Sequence, residues 1–292
     1  MPKTLTSRDN PLLKTMRLVA AQARMAPPEL VLAEGTRTLE EATRAGWPIE
    51  SVLMSENFAS SPRGQCLLQA WSERKVRLFA AREAILGSVS DVVAPQGAVA
   101  LVRVPAVSLD LMKLSGNPLI LVAVGIQDPG NLGTLVRTAA AAGCSFVCCL
   151  RGTVSARNPK VIRASAGTYF RIPIVESATI TQFSSFCGSR GIRIYRSSAH
   201  DGPVYSSVSL RSSCAILLGN EGSGIPADEW GRVPGIRIPM APGIESLNVA
   251  AAGAILLFEA SRQRTSCAAE PTLDRQDRRS SDWAEPVVES GR

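Results

Sequence analysis

The chain has a single histidine, His200, among 292 residues. With no second imidazole and no CxxC pair, a zinc centre is not expected and no metal is assigned. A serine triad cannot be assembled around a histidine that has no fixed partner, so His200 reads as structural. Runs of about 18 or more apolar residues are missing, so no membrane span is predicted. The opening MPKTLTSRDN contains no apolar signal segment, and a cytoplasmic protein is expected. The seven cysteines are odd in number and mostly embedded in apolar runs, the pattern of buried, reduced thiols.

What is present is an ordinary globular composition, 45% hydrophobic and 20% charged, in a chain long enough for two medium domains. The net charge of +7 is concentrated in residues 106–265, which hold 15 Lys/Arg against 9 Asp/Glu. That balance permits a polyanionic partner. Residues 265–292 are charged and poor in apolar residues, the composition of a disordered tail.

Residues 1–105 alternate short strands and helices. A helix over residues 10–24 carries Lys14 and Arg17. Strands at 30–33, 49–54, 76–79 and 97–104 are separated by helices at 36–45 and 64–74. A compact α/β sandwich is expected, without a catalytic cluster. Residues 106–117, bounded by Pro and Gly, read as a linker to a second domain over residues 118–264.

In that second domain a buried strand three times ends in a polar, Gly-rich loop and continues as a helix. The first runs from Leu119 to Ile126, turns at Asp128-Pro129-Gly130-Asn131, and reads as helical from Leu132 to Gly143. Arg137 falls on the first or second turn of that helix. The second strand, Cys214–Leu218, enters GNEGSGIP, and the third, Ile236–Ile238, enters PMAPGIES before a long apolar helix. Neither G-x-G-x-x-G nor a P-loop is matched, which disfavours dinucleotide or triphosphate binding. If the strands are parallel, the loops meet at one carboxyl edge in one cleft lined by Asn131, Arg137, Asn220, Glu221, Ser246 and Asn248. Between the first two loops, Arg151, Arg157, Lys160 and Arg163 lie within thirteen residues without an acid among them. They read either as a phosphate-tracking loop or as a solvated basic face.

The segments DPGNLGTLVRTAAAAG at 128–143, LLGNEGSGIP at 217–226 and IPMAPGIESLNVAAAGAILLFEA at 238–260 resemble the three motifs of the SpoU (TrmH-like) branch of the SPOUT RNA methyltransferases. The resemblance implies an α/β fold whose mostly parallel sheet is tied in a trefoil knot, preceded by a smaller α/β RNA-binding domain. It implies S-adenosylmethionine as cofactor, held by Leu218, Gly219, Asn220, Gly222, Ile238, Met240, Ser246 and Leu247. It places the catalytic positions on Asn131 and Arg137, supported by Glu221, Ser246 and Asn248, in a homodimer whose sites lie beside the subunit interface. The implied reaction is methyl transfer to a ribose 2′-hydroxyl of RNA. In it Arg137, too basic to abstract a proton, would bind the adjacent phosphate and acidify the hydroxyl. Glu221 would fix its loop, and a carboxylate base is the alternative.

SRDNPLLKTMRLVAAQAR followed by LVLAEGTRTLEEATRAG is similar to the substrate-binding domain of the same branch, although MAPPE replaces the usual basic loop. Lys14, Arg17, Arg151, Arg157, Lys160 and Arg163 are the candidate RNA contacts. Members with this domain typically modify large-subunit ribosomal RNA, so ribosomal RNA is favoured. A transfer RNA 2′-O-methyltransferase and a non-catalytic RNA-binding assembly factor are the alternatives.

Overall fold

A computed structural model describes residues 2–90, 97–220, 222 and 224–265. The candidate Glu221 and all of the expected tail except Thr265 lie outside the described residues. Thr265 itself ends a helix.

The amino-terminal unit runs β1 (Lys3–Leu5), α1 (Pro11–Ala20), β2 (Leu30–Glu34), α2 (Thr36–Arg44), β3 (Ile49–Met54), α3 (Glu56–Ser60), α4 (Pro62–Glu73), β4 (Arg77–Ala81), α5 (Glu83–Leu86) and β5 (Ala98–Arg103). Its sheet has the order β1-β4-β3-β5-β2, with β5 antiparallel to both neighbours. Residues 98–102 of β5 are all buried. One face of β5 packs Ala98, Ala100 and Val102 into the larger core, and the other packs Val99 and Leu101 under α1.

The second unit runs β6 (Leu119–Ala123), α6 (Pro129–Ala141), β7 (Phe146–Leu150), α7 (Pro159–Ala164), β8 (Ile174–Ala178), α8 (Ile180–Gly188), β9 (Arg193–Ser198), β10 (Cys214–Leu218), α9 (Ala227–Trp230), β11 (Gly235–Arg237) and α10 (Val249–Thr265). Its sheet is parallel throughout, in the order β11-β9-β10-β6-β7-β8. β6, β7 and β10 are buried along their whole length, which is why they read as unbroken apolar runs. The loops after β6, β10 and β11 therefore do share the carboxyl edge.

Four helices begin with the same device. Asn10, Ser61, Asp128 and Asn158 each accept a backbone N–H of the first turn, and each is followed by Pro at the first helical position. At α6 this moves the start forward from the expected Leu132. Asp128 Oδ1 accepts the Asn131 N–H at 2.7 Å, so Asn131 is a first-turn helical residue rather than part of the turn.

The two units share a continuous apolar core, with Val31, Val52 and Trp71 in the same cluster as Leu119, Leu121 and Val147. The contact centres on residues 157–171. Trp47 packs edge-on against Phe170, with ring centroids 5.0 Å apart. Gly167 (φ +84°) lies so close to α2 that a Cβ there would meet Glu41 Cβ at 2.7 Å. Ion pairs Arg163–Glu34 (3.1 Å) and Arg171–Glu41 join the units, and Arg157 donates to the Pro28 carbonyl. The expected linker also packs down: Leu109 is buried, and Val107, Met112 and Leu114 lie against the second unit's core.

Cys144, Cys148, Cys149, Cys187 and Cys214 are buried and unbridged, whereas Cys66 is exposed. Burial pushes the thiols of Cys144, Cys148 and Cys187 up to about 12, and raises those of Cys149 and Cys214 as well. Thiol reagents attack the thiolate. Native labelling at about pH 8, mapped by peptide mass, should therefore modify Cys66 and spare these five until the chain is unfolded. Fast modification of any of the five would show that the core opens.

Candidate functional site

The ends of β9, β10 and β11 and the start of α10 enclose a cleft of about 470 Å3. Seven of the eight expected cofactor positions line it: Gly219, Asn220, Gly222, Ile238, Met240, Ser246 and Leu247. Leu218 does not. It is fully buried beneath the cleft, and its carbonyl accepts the Val124 N–H at 2.9 Å. The loop after β10 is held closed by paired backbone bonds between Asn220 and Gly224, 3.0 Å in each direction. Asn220 Oδ1 accepts the Gly222 N–H, and its Nδ2 donates to the Gly125 carbonyl, both at 2.8 Å. A Cβ on Gly219 would meet the Gly224 backbone at 2.5 Å, so the loop needs glycine there.

Asn248 caps α10, its Oδ1 accepting from Ala250 N at 2.9 Å and Ala251 N at 3.3 Å. That fixes the orientation of its amide, and Nδ2 donates to Asn131 Oδ1 at 3.1 Å. Asn131 and Asn248 thus join the first turns of α6 and α10 beside the cleft, and Ser246 lies on its wall.

Arg137 is not brought into this cleft. It lies six residues beyond Asn131, about 9 Å along α6 and roughly 240° around it, on the third turn. There it is exposed and lines a separate groove with Cys144, Ser145, Thr168 and Arg171. Nor do the basic residues form one free loop. Arg157 pairs with Glu176 at 2.8 Å, and Arg163 pairs with Glu34, because the acids absent from their own segment arrive from β8 and β2. Arg151 and Lys160 remain exposed. In the first unit Lys14 is 3.7 Å from Asp9 on the surface, and Arg17 donates to the Arg8 carbonyl.

The further residues that line the cleft include Arg196, His200 and Glu245. Arg196 and His200 were passed over because the turn after β9 lacks the Gly-rich signature, although β9 ends at the same edge, whereas Glu245 stands in the loop after β11. His200 is therefore a cleft residue rather than a merely structural one. Arg196 is held by Asp201, with Nη1–Oδ1 at 3.1 Å, and by the Val233 carbonyl at 3.0 Å. Hydrogen bonds from Arg196 and Ser198 hold the Asp201 carboxyl below the usual carboxylate range.

Apolar walls from Ile225, Ile238, Met240, Leu247 and Val249 suit a flat purine. The polar rim suits a ribose diol and an amino-acid head. This donor set fits S-adenosylmethionine, and the volume lies within the range of about 300–1,000 Å3 common to small-molecule sites. Among the described residues no group of His, Cys, Asp and Glu could hold a metal ion, and no helix is long and apolar enough to cross a membrane.

The profile of the SpoU rRNA methylase family matches residues 118–258, and that of the MRM3-like substrate binding domain matches residues 10–100. The chain is 27% identical over 257 residues to a 23S rRNA guanosine 2′-O-methyltransferase of Bacillus subtilis, covering 88% of this chain and 98% of that one. It is 30% identical to the mitochondrial rRNA methyltransferase 3 of Xenopus tropicalis, covering 80% and 70%. The S-adenosylmethionine-bound rRNA methyltransferase of Sinorhizobium meliloti superposes with a TM-score of 0.79 at 26% identity, covering 89% and 97%. Fold, cleft and likeness together define a S-adenosylmethionine-dependent methyltransferase of the SPOUT class. Within that class the chain belongs to the SpoU rRNA methylase family.

Proposed function

We propose that this protein methylates a ribose 2′-hydroxyl of ribosomal RNA. The observation that carries the reading is the meeting, at one sheet edge, of a cofactor-sized cleft with the Asn131–Asn248 pair and Ser246. When bound, S-adenosylmethionine supplies an electrophilic methyl on a sulfonium. The chain's task is orientation, since oxygen, carbon and sulfur must be in line with the reacting atoms about 3 Å apart. Asn131, locked by Asn248, positions the ribose or the loop that bears it, and Ser246 supports the cofactor side. The amino-terminal unit grips the RNA, with Lys14 and Arg17 on α1 as its contacts, Lys160 extends the basic track, and Arg151 is a further RNA contact.

The active species is a homodimer. Over its first ten residues, 249–258, α10 is apolar on all sides, yet Phe258 is 51% exposed, and Ile244 and Leu247 beside the cleft are also open. A helix apolar all round belongs in an interior, and a second copy would provide one. Arg137, which lines a groove separate from the cleft of its own protomer, then enters the partner's site and binds the phosphate next to the target ribose.

The test is transfer of labelled methyl to unmodified ribosomal and transfer RNA side by side, with the 2′-O-methyl position mapped. Label in ribosomal RNA is expected. Label confined to transfer RNA would move the substrate and keep the chemistry. Cofactor binding without transfer to either RNA, naked or within a ribosomal subunit, would favour an assembly factor.

A further inference from the structure

A second hollow, of about 530 Å3, opens at the same carboxyl edge on the other side of the loop after β10. Asn220 and Gly224 wall both this hollow and the cofactor cleft. Its polar groups are unusually constrained. The Gln127 side chain donates through Nε2 to the carbonyls of Gly125 (3.1 Å) and Gly152 (2.5 Å). Both partners are acceptors, so the amide nitrogen must face them, and the side chain offers a ligand only its oxygen. Arg151, exposed on the same wall, makes no ion pair or side-chain hydrogen bond among the described residues, and so offers only donors. Leu150, Ile180 and Pro226 give the hollow apolar sides.

We propose that this hollow binds a guanine base of the RNA substrate. The assignment rests on the methyl-transfer reading for its ligand class and on the side-chain chemistry for the base. Single-stranded RNA is read by splaying bases out and bonding their Watson–Crick and Hoogsteen edges. An arginine fork matches guanine O6 and N7, while N1–H and the N2 amino group need an acceptor, which Gln127 Oε1 supplies. Adenine is disfavoured because the usual pairing of a carboxamide with N6 and N7 needs both a donor and an acceptor, and the Gln127 donor is committed. The Gly125 carbonyl accepts from both Gln127 and Asn220, so the base site and the cofactor loop are braced on one atom.

The test titrates the full chain with 5′-GMP, 5′-AMP, 5′-CMP and 5′-UMP, following the Gln127 and Arg151 side-chain signals by NMR. GMP should bind about tenfold more tightly than the others, without competition from S-adenosylmethionine. Gln127→Ala and Arg151→Ala should each raise KM for RNA about tenfold while kcat and cofactor affinity hold. If Gln127→Ala disturbs its loop, Arg151→Lys keeps the charge, lacks the fork and should still lose the guanine preference. Equal binding of all four nucleotides, or no binding, overturns the proposal. So does an unchanged KM in the arginine variants. Selective GMP binding by a chain that methylates no RNA would sink the methyl-transfer reading and leave the base site standing. Normal methylation without GMP preference would do the reverse.

Discussion

Arg137→Ala should bind S-adenosylmethionine as tightly as the parent and transfer methyl about 100- to 1,000-fold more slowly, the range for removing a donor aimed at developing charge. The affinity should hold because Arg137 lines a groove separate from the cofactor cleft. The rate should fall because the guanidinium is exposed and makes no ion pair among the described residues, leaving it free for a phosphate. Arg171 in the same groove already has Glu41. A stoichiometric test follows from the proposed two-fold symmetry. Gly219→Val should destroy the cleft, since even a Cβ there meets the Gly224 backbone at 2.5 Å. Either variant alone should keep at most about a hundredth of parental activity. Coexpressed, they form mixed dimers holding one intact cleft faced by one intact Arg137, and about a quarter of parental activity should return. Phe258→Asp should abolish that recovery and sediment as a monomer. No recovery from demonstrably mixed dimers would mean that Arg137 acts within its own subunit or not at all.

The sheet was legible because β6, β7 and β10 are buried on both faces, which leaves an uninterrupted apolar run in the sequence. The cleft was legible because polar, Gly-rich loops follow such runs. Legibility failed where partners come from distant segments. Nothing near Arg163 announces that Glu34, 129 positions away, will neutralise it. Nothing near His200 announces the cleft, since β9 is only half-buried and its loop is short of glycine. The placement of Asn131 could have been read. Asp128-Pro129 is the same cap-and-proline start that opens α1, α4 and α7, and it puts Asn131 three residues into the helix. Arg137 then falls on the third turn by counting alone.

Arg163→Ala should lower stability by about 2–3 kcal/mol and leave the salt dependence of RNA binding unchanged. The Glu34 side chain is only 4% exposed, so removing Arg163 strands a carboxylate in the core with the Ser90 hydroxyl as its remaining side-chain partner. Arg163 itself is 34% exposed, which keeps the figure below that for a fully buried pair. For a chain of this size a melting temperature lower by about 4–10 °C is expected. Replacing both partners, Arg163→Met with Glu34→Leu, should recover much of the loss, because the cost lies in the uncompensated charge rather than in the absence of an attraction. Lys160→Ala supplies the contrast. Lys160 is exposed and forms no ion pair among the described residues, so its loss should leave melting unchanged. It should reduce the slope of log affinity against log salt by about 0.7–0.9, one phosphate contact. If the two variants exchange these signatures, the segment tracks RNA as its bare sequence suggests, and the ion pairs joining the two units are incidental. If they do not, residues 157–171 hold the RNA-gripping unit against α6, and the distance from grip to target ribose is built into the fold.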